Sequence, residues 1–151
     1  MTNVGTPPRI DSERLWRSLM TMAQIGATPR GGCNRQALTD QDKAARDLFV
    51  SWGREAGCSV VVDEIGNIFL RFAGSRPELA PVLIGSHLDT QATGGRFDGV
   101  YGVLAGLEVI RTLIEGGVAP LRRKMLPISS TTTLQPASRP QLTNRSRAAL
   151  S

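Results

Sequence analysis

The sequence contains one histidine, His87, and two cysteines, Cys33 and Cys58. A single histidine excludes any site built within this chain from several His ligands. Two cysteines do not make a disulfide framework, and nothing else asks for an oxidising compartment. Aromatic residues make up only 5% of the chain, and none follows Tyr101. No apolar run approaches the roughly 18 residues of a membrane span. The first 16 residues, MTNVGTPPRIDSERLW, hold no basic stretch followed by an apolar one, so they do not read as a secretory signal. These absences lead to the expectation of a cytoplasmic protein without a membrane partner.

Acids are missing from one end. Residues 119–151 hold six Lys/Arg and no Asp or Glu, whereas residues 1–118 hold 12 basic and 13 acidic residues. The formal charge of +5 therefore comes from the tail, and the body is close to neutral. A polybasic tail could bind nucleic acid or anionic lipid. Here the charges are scattered and no aromatic residue lies among them to stack on bases. Nucleic acid is not an expected partner.

What is present fits one domain, or one lobe of something larger: 151 residues, 40% apolar and 21% charged. Asp11 or Ser12 can cap a helix over about 12–25, with Leu15, Leu19, Met22 and Ala23 as its stripe. A glycine-rich loop at 26–33 lacks the spacing of a phosphate cradle. Thr39 and the acids at 40 and 42 start a second helix, running to about 56, with Ala45, Leu48, Phe49, Trp52 and Ala56 on its buried face. Residues 59–63 and 68–72 read as a hairpin around Glu64–Asn67. Residues 81–86 form a continuous apolar run that suits a strand buried on both faces. A third helix spans about 100–115 and ends at Gly116-Gly117. The fold class is α/β.

The segment that carries chemistry is Gly85-Ser86-His87-Leu88-Asp89-Thr90, followed by Gly94-Gly95-Arg96-Phe97-Asp98-Gly99. A polar His-x-Asp at the end of a buried strand sits where α/β folds place their sites. His87 offers an imidazole nitrogen to a metal, and Asp89 could orient that ring from behind. Asp98 could aim a carboxylate at the same place. One histidine with carboxylates suits zinc or another first-row divalent ion. On spacing alone two bland readings stay open: an ordinary hydrogen-bonded histidine, and an Asp98-Gly99 turn that merely starts a helix.

The pattern G-S-H-L-D-T-x(4)-G-R-F-D-G-x-x-G-V-L-A-G-L-E resembles the hydantoinase/carbamoylase family of metal-dependent amidases. Upstream, Ile25–Pro29, Gly31-Gly32, Ala37–Arg46, Ala56–Cys58 and Val62–Ile68 match the same family in the same order. The resemblance covers about residues 10–118. It implies the N-terminal part of an incomplete three-layer catalytic domain, of the aminopeptidase-like, two-metal type. By resemblance, His87 holds one metal, Asp98 bridges both, Asp89 holds His87, and the Asp98-Gly99 peptide can be cis. The implied cofactor is zinc or manganese. The implied substrate is a small ureido or carbamoyl compound such as an N-carbamoyl-L-amino acid or allantoate, and the family is typically homodimeric.

The family continues beyond its third helix with an apolar strand, a Glu-Glu pair, two more histidines and a separate dimerisation domain. No acid follows Glu115 here and no second histidine occurs. Residues 119–151 read instead as an unstructured basic, Ser/Thr-rich tail of the kind a frameshift leaves. The expectation is an amidohydrolase portion that is inactive alone. The alternative is a non-catalytic short paralogue or binding module with a basic tail.

Overall fold

A computed structural model describes residues 7–129. Helix α1 (Ser12–Met22) starts where the Asp11 carboxylate accepts from the Arg14 amide at 2.9 Å. It stops at Met22, short of position 25, because the chain then turns through Gln24 into Gly26 at φ +80°. Helix α2 (Asp40–Glu55) is capped by Thr39, whose hydroxyl accepts from the Asp42 amide at 3.3 Å. Gly57, at φ +76°, lets the Cys58 amide reach back to Gly53 and close the helix end.

Strands β1 (Ser59–Val62) and β2 (Ile68–Phe72) form the predicted antiparallel hairpin, with Val62 opposite Ile68. Asp63 fixes its turn, accepting from the Asn67 amide at 2.7 Å and from the Ile65 amide at 3.2 Å. The predicted strand 81–86 is two short pieces, β3 (Val82–Leu83) and β4 (Ser86–His87). Helix α3 (Val100–Glu115) follows and closes at Gly116-Gly117.

Residues 124–129, assigned from composition to an irregular tail, form β5 (Lys124–Ser129) in the middle of the sheet. It runs antiparallel to β2 and parallel to β3 and β4, giving the order β1-β2-β5-β3 with β4 also on β5. Composition misses β5 because its place is set by two flanking rows of backbone donors and acceptors rather than by its own pattern. One side chain does contribute: Ile128, fully buried, faces Ile68 across the ladder. Both pieces of the predicted strand 81–86 thus have β5 as their parallel neighbour. The rest of the expected tail, 130–151, lies outside the described residues.

β5 also explains why 81–86 splits. The Val82 and Ile84 amides donate to Arg123 and Met125 carbonyls, so odd residues of β5 face this side. The next odd residue is Pro127, which has no N–H to give. The ladder lapses at Ile84-Gly85 and resumes at Ser86 opposite Ile128.

The core is one cluster joining Leu19 and Met22 of α1, Phe49 of α2, Ile68 and Leu70 of β2, Ile128, and Val103, Leu104, Leu107 and Ile110 of α3. All of it lies on one face of the sheet. On the other face Val61, Phe69 and Pro127 line up across the strands, and Leu83 is 61% exposed. The expectation of a strand buried on both faces fails there, because no described helix covers that side. Glu108 of α3 is buried and accepts from Arg14 Nε at 2.8 Å and Nη2 at 2.6 Å, clamping α1 to α3. No helix among the described residues is long and apolar enough to cross a membrane.

Candidate metal site at the end of β4

The site grows from where β4 ends. His87 is its last residue, pinned by pairing to β5, and its side chain is 28% exposed. Its Nδ1 lies 2.9 Å from the Asp89 backbone oxygen and 3.5 Å from Asp89 Oδ1. A carbonyl oxygen only accepts, so this contact puts the ring proton on Nδ1 and leaves the Nε2 lone pair for another partner. Asp89 is buried at 4% exposure. The geometry thus brings together the two residues read as ligand and holder.

Asp98 lies in the turn before α3, exposed, with its amide donating to Gly95. The next residue explains the turn's shape. A Cβ on Gly99 would sit 2.5 Å from His87 Cε1, Nδ1 and backbone oxygen, and Gly99 adopts φ +68°. Only glycine lets this turn press against the histidine ring. The Asp98 backbone is thereby carried to the same strand end as His87. No peptide bond among the described residues is cis, so the Asp98-Gly99 peptide is trans, contrary to expectation. No group of three or more His, Cys, Asp or Glu that could hold a metal occurs among the described residues. The donors fit a divalent ion in kind, one imidazole and carboxylate oxygen, but as part of a coordination set.

Sequence reasoning missed Arg35. It is fully buried beneath the site loop, with Nε donating to the Leu88 carbonyl at 2.8 Å and Nη1 to that of Ile25 at 2.7 Å. Burial pushes its guanidinium below the usual range, while Cys33, Asp42 and Asp89 pull the other way. A buried arginine carries no periodic signal, though its place between the glycine-rich loop and α2 was a hint. The glycine-rich loop is zipped to the site loop: Cys33 and Gly94 exchange backbone bonds at 2.9 and 3.0 Å, and Arg96 grips the Gly31 carbonyl. A cleft of about 620 Å³ opens between these loops, lined by Thr28, Pro29, Arg30, Gly32, Ala92, Thr93 and Gly94. None of the predicted site residues lines it.

Comparison with known proteins agrees with this architecture. The chain is 54% identical over 118 residues to an N-carbamoyl-L-amino-acid amidohydrolase of Rhizobium meliloti, covering 78% of this chain and 28% of that protein. A hydantoinase/carbamoylase family amidase from Burkholderia ambifaria superposes with a TM-score of 0.79 at 58% identity, over 82% of this chain and 30% of that one. This chain is homologous to part of the hydantoinase/carbamoylase amidases. A ureidoglycolate hydrolase of Oryza sativa is 37% identical over 118 residues, covering 78% of this chain and 24% of that protein. The chain therefore spans about a quarter to a third of the length of these amidase relatives. No protein-family profile matches it.

Proposed function

We propose that this chain forms the N-terminal part of the metal-dependent catalytic domain of a cytoplasmic amidohydrolase acting on linear C–N bonds of N-carbamoyl-L-amino acids or related ureido compounds. The 54% identity to the Rhizobium amidohydrolase carries the reading. In it His87 Nε2 and the Asp98 carboxylate hold zinc or manganese. Such an ion, when bound, polarises the scissile carbonyl and lowers the pKa of an attacking water. Asp89 keeps the His87 proton on Nδ1 through its backbone oxygen, and its buried carboxylate favours the ring in that orientation. Gly99 keeps the Asp98 turn against the ring. Two thiols that are buried and unbridged suit a reducing compartment.

No acid follows Glu115 and no second histidine occurs, so we assign no turnover to these 151 residues alone. Loss of a general base by itself costs about 10²–10⁴-fold. The test is a chimera in which these residues replace the matching 118 residues of the Rhizobium relative. Metal-dependent release of amino acid from N-carbamoyl-L-amino acids is expected, and it should vanish in His87→Ala and Asp98→Ala. A folded, inactive chimera, or activity indifferent to both substitutions, refutes the reading.

A further inference from the structure

The glycine-rich loop, which the candidate metal site does not use, builds one wall of a cleft. The Gly31 amide donates to the Thr28 carbonyl at 3.0 Å, closing a turn with Pro29 and Arg30 at its tip. The Gly94 amide donates to the Gln91 carbonyl at 3.1 Å, closing a second turn with Ala92 and Thr93 at its tip. The paired Cys33 and Gly94 join the two turns at their base. Glycine is required there, because a Cβ on Gly32 would lie 2.8 Å from the Gly94 carbonyl oxygen. Backbone therefore meets backbone below, and the two tips face each other across about 620 Å³. That volume suits a small molecule. We propose that the cleft binds a small carboxylate on an aliphatic stem, with the Arg30 guanidinium holding the carboxylate. The proposal does not rest on the metal reading, since His87, Asp89 and Asp98 do not line the cleft.

Charge and donors select the ligand. Arg30 is the one charged residue lining the cleft, and its guanidinium makes no hydrogen bond or ion pair among the described residues. Its neighbour Arg96 is differently placed. The Arg96 Nε and Nη2 are spent on the Gly31 carbonyl at 3.0 and 2.9 Å, which adds a second positive charge at the same turn. No carboxylate lines the cleft to oppose an anion. Thr28 Oγ1 accepts from the Gly32 amide at 3.1 Å, so its own proton is left to donate. The amides of Gly31, Gly32, Cys33 and Gly94 all donate within the two turns. The loop thus lacks the fan of N–H groups that cradles a phosphate. What it offers is one guanidinium fork, which matches the two oxygens of a carboxylate. The Pro29 ring and the methyl groups of Ala92 and Thr93 supply the apolar wall for a stem.

The test titrates the ¹⁵N-labelled 151-residue chain with sodium 4-methylpentanoate, in a chelator and at constant ionic strength, so that no metal draws the carboxylate elsewhere. The amides of Thr93 and Gly94 and the Arg30 Nε–H should shift together and saturate, with a dissociation constant on the order of 1–10 mM. The neutral 4-methylpentanamide should leave them unmoved. Inorganic phosphate, which has no stem, should bind about tenfold more weakly. Arg30→Gln should weaken the carboxylate about tenfold, while Arg54→Gln, at an exposed arginine on the end of α2, should change nothing. Arg30 spends no side-chain contact on the fold, so its variant should keep the amide dispersion of the wild type. Ala92→Phe, which sets a ring between the walls, should abolish the shifts without touching the charge. Four results each overturn the proposal: no saturable shift up to about 50 mM carboxylate, equal binding of the amide, equal binding of phosphate, or a folded Arg30→Gln that binds as wild type does.

Discussion

Replacing Gly99 with alanine separates two costs that glycines usually hide together. Gly57 and Gly99 both adopt positive φ, +76° and +68°. A Cβ at Gly57 meets nothing within 4 Å, whereas at Gly99 it meets His87 Cε1, Nδ1 and backbone oxygen, each at 2.5 Å. Gly57→Ala should therefore show conformational strain alone. About 1–2 kcal/mol for an L-residue in the left-handed region, less about 0.4–1 kcal/mol from a stiffer unfolded chain, leaves a loss near 1 kcal/mol. Gly99, at φ +68° and ψ −48°, lies near the strained γ-turn conformation, so Gly99→Ala carries at least that strain plus an overpacking cost of about 1–3 kcal/mol. The carbonyl oxygen belongs to β4 and cannot rotate out of the way as a side chain could. The total is at least about 2–4 kcal/mol. Urea unfolding followed by Trp16 and Trp52 fluorescence measures both. With a slope of about 1–3 kcal/mol/M, Gly99→Ala should fall below Gly57→Ala by about 1 M in midpoint. The His87 ring signals should shift in Gly99→Ala only. If the two variants unfold within about 0.5 kcal/mol of each other, the turn does not press on the ring and the juxtaposition of Asp98 with His87 loses its basis.

The remaining expectations concern the sheet, the clamp, a buried acid and the metal. Pro127→Val restores a donor to the lapsed ladder and should stabilise by about 1 kcal/mol in the same assay; a destabilised variant contradicts the explanation of the split strand. Glu108→Gln should cost about 2–3 kcal/mol, somewhat less than breaking a fully buried pair, because Arg14 is 21% exposed and also meets Glu115. Glu115→Gln, at a 59% exposed partner, should cost under about 1 kcal/mol, so comparable melting shifts for the two would sink the clamp. Burial pushes the Asp42 carboxyl up from 3.8, against bonding from the Leu38 amide and the Arg46 charge. A raised folded pKa means more protons bound in the folded state, so this group's contribution falls as pH rises from the unfolded value through the raised one. Asp42→Asn should accordingly gain on wild type as pH rises above the unfolded carboxyl range of about 4; a constant gap in urea midpoint counts against it. Zn²⁺ should bind the 151-residue chain weakly, since structural zinc normally takes four ligands. A tight one-to-one calorimetric site lost in His87→Ala contradicts that.

Periodicity and caps made three helices and the hairpin legible, because those signals are local: Asp11, Thr39, Gly57 and Gly117 each act within a turn of themselves. The His87–Asp89 pair was legible for the same reason, being two residues apart at a strand end. β5 was not. Its sequence, Lys-Met-Leu-Pro-Ile-Ser, has an interior proline and follows a basic run, and its position is decided by the open edges of β2 and β3, more than 40 residues upstream. Arg35 was illegible because its partners are backbone carbonyls, which every residue carries. Burial of Glu108 was illegible because its partner, Arg14, lies 94 residues earlier.

That last separation has a consequence for synthesis. Helix α1 is made before α3, and the carboxylate that anchors it comes 94 residues later. At about 5–20 residues per second, Leu19 and Met22 wait roughly 5–20 s with no α3 to cover them. During that interval α1 is an amphipathic peptide with its apolar stripe open to water. The order of synthesis thus leaves α1 without its apolar cover until Glu108 has been added and α3 has cleared the tunnel.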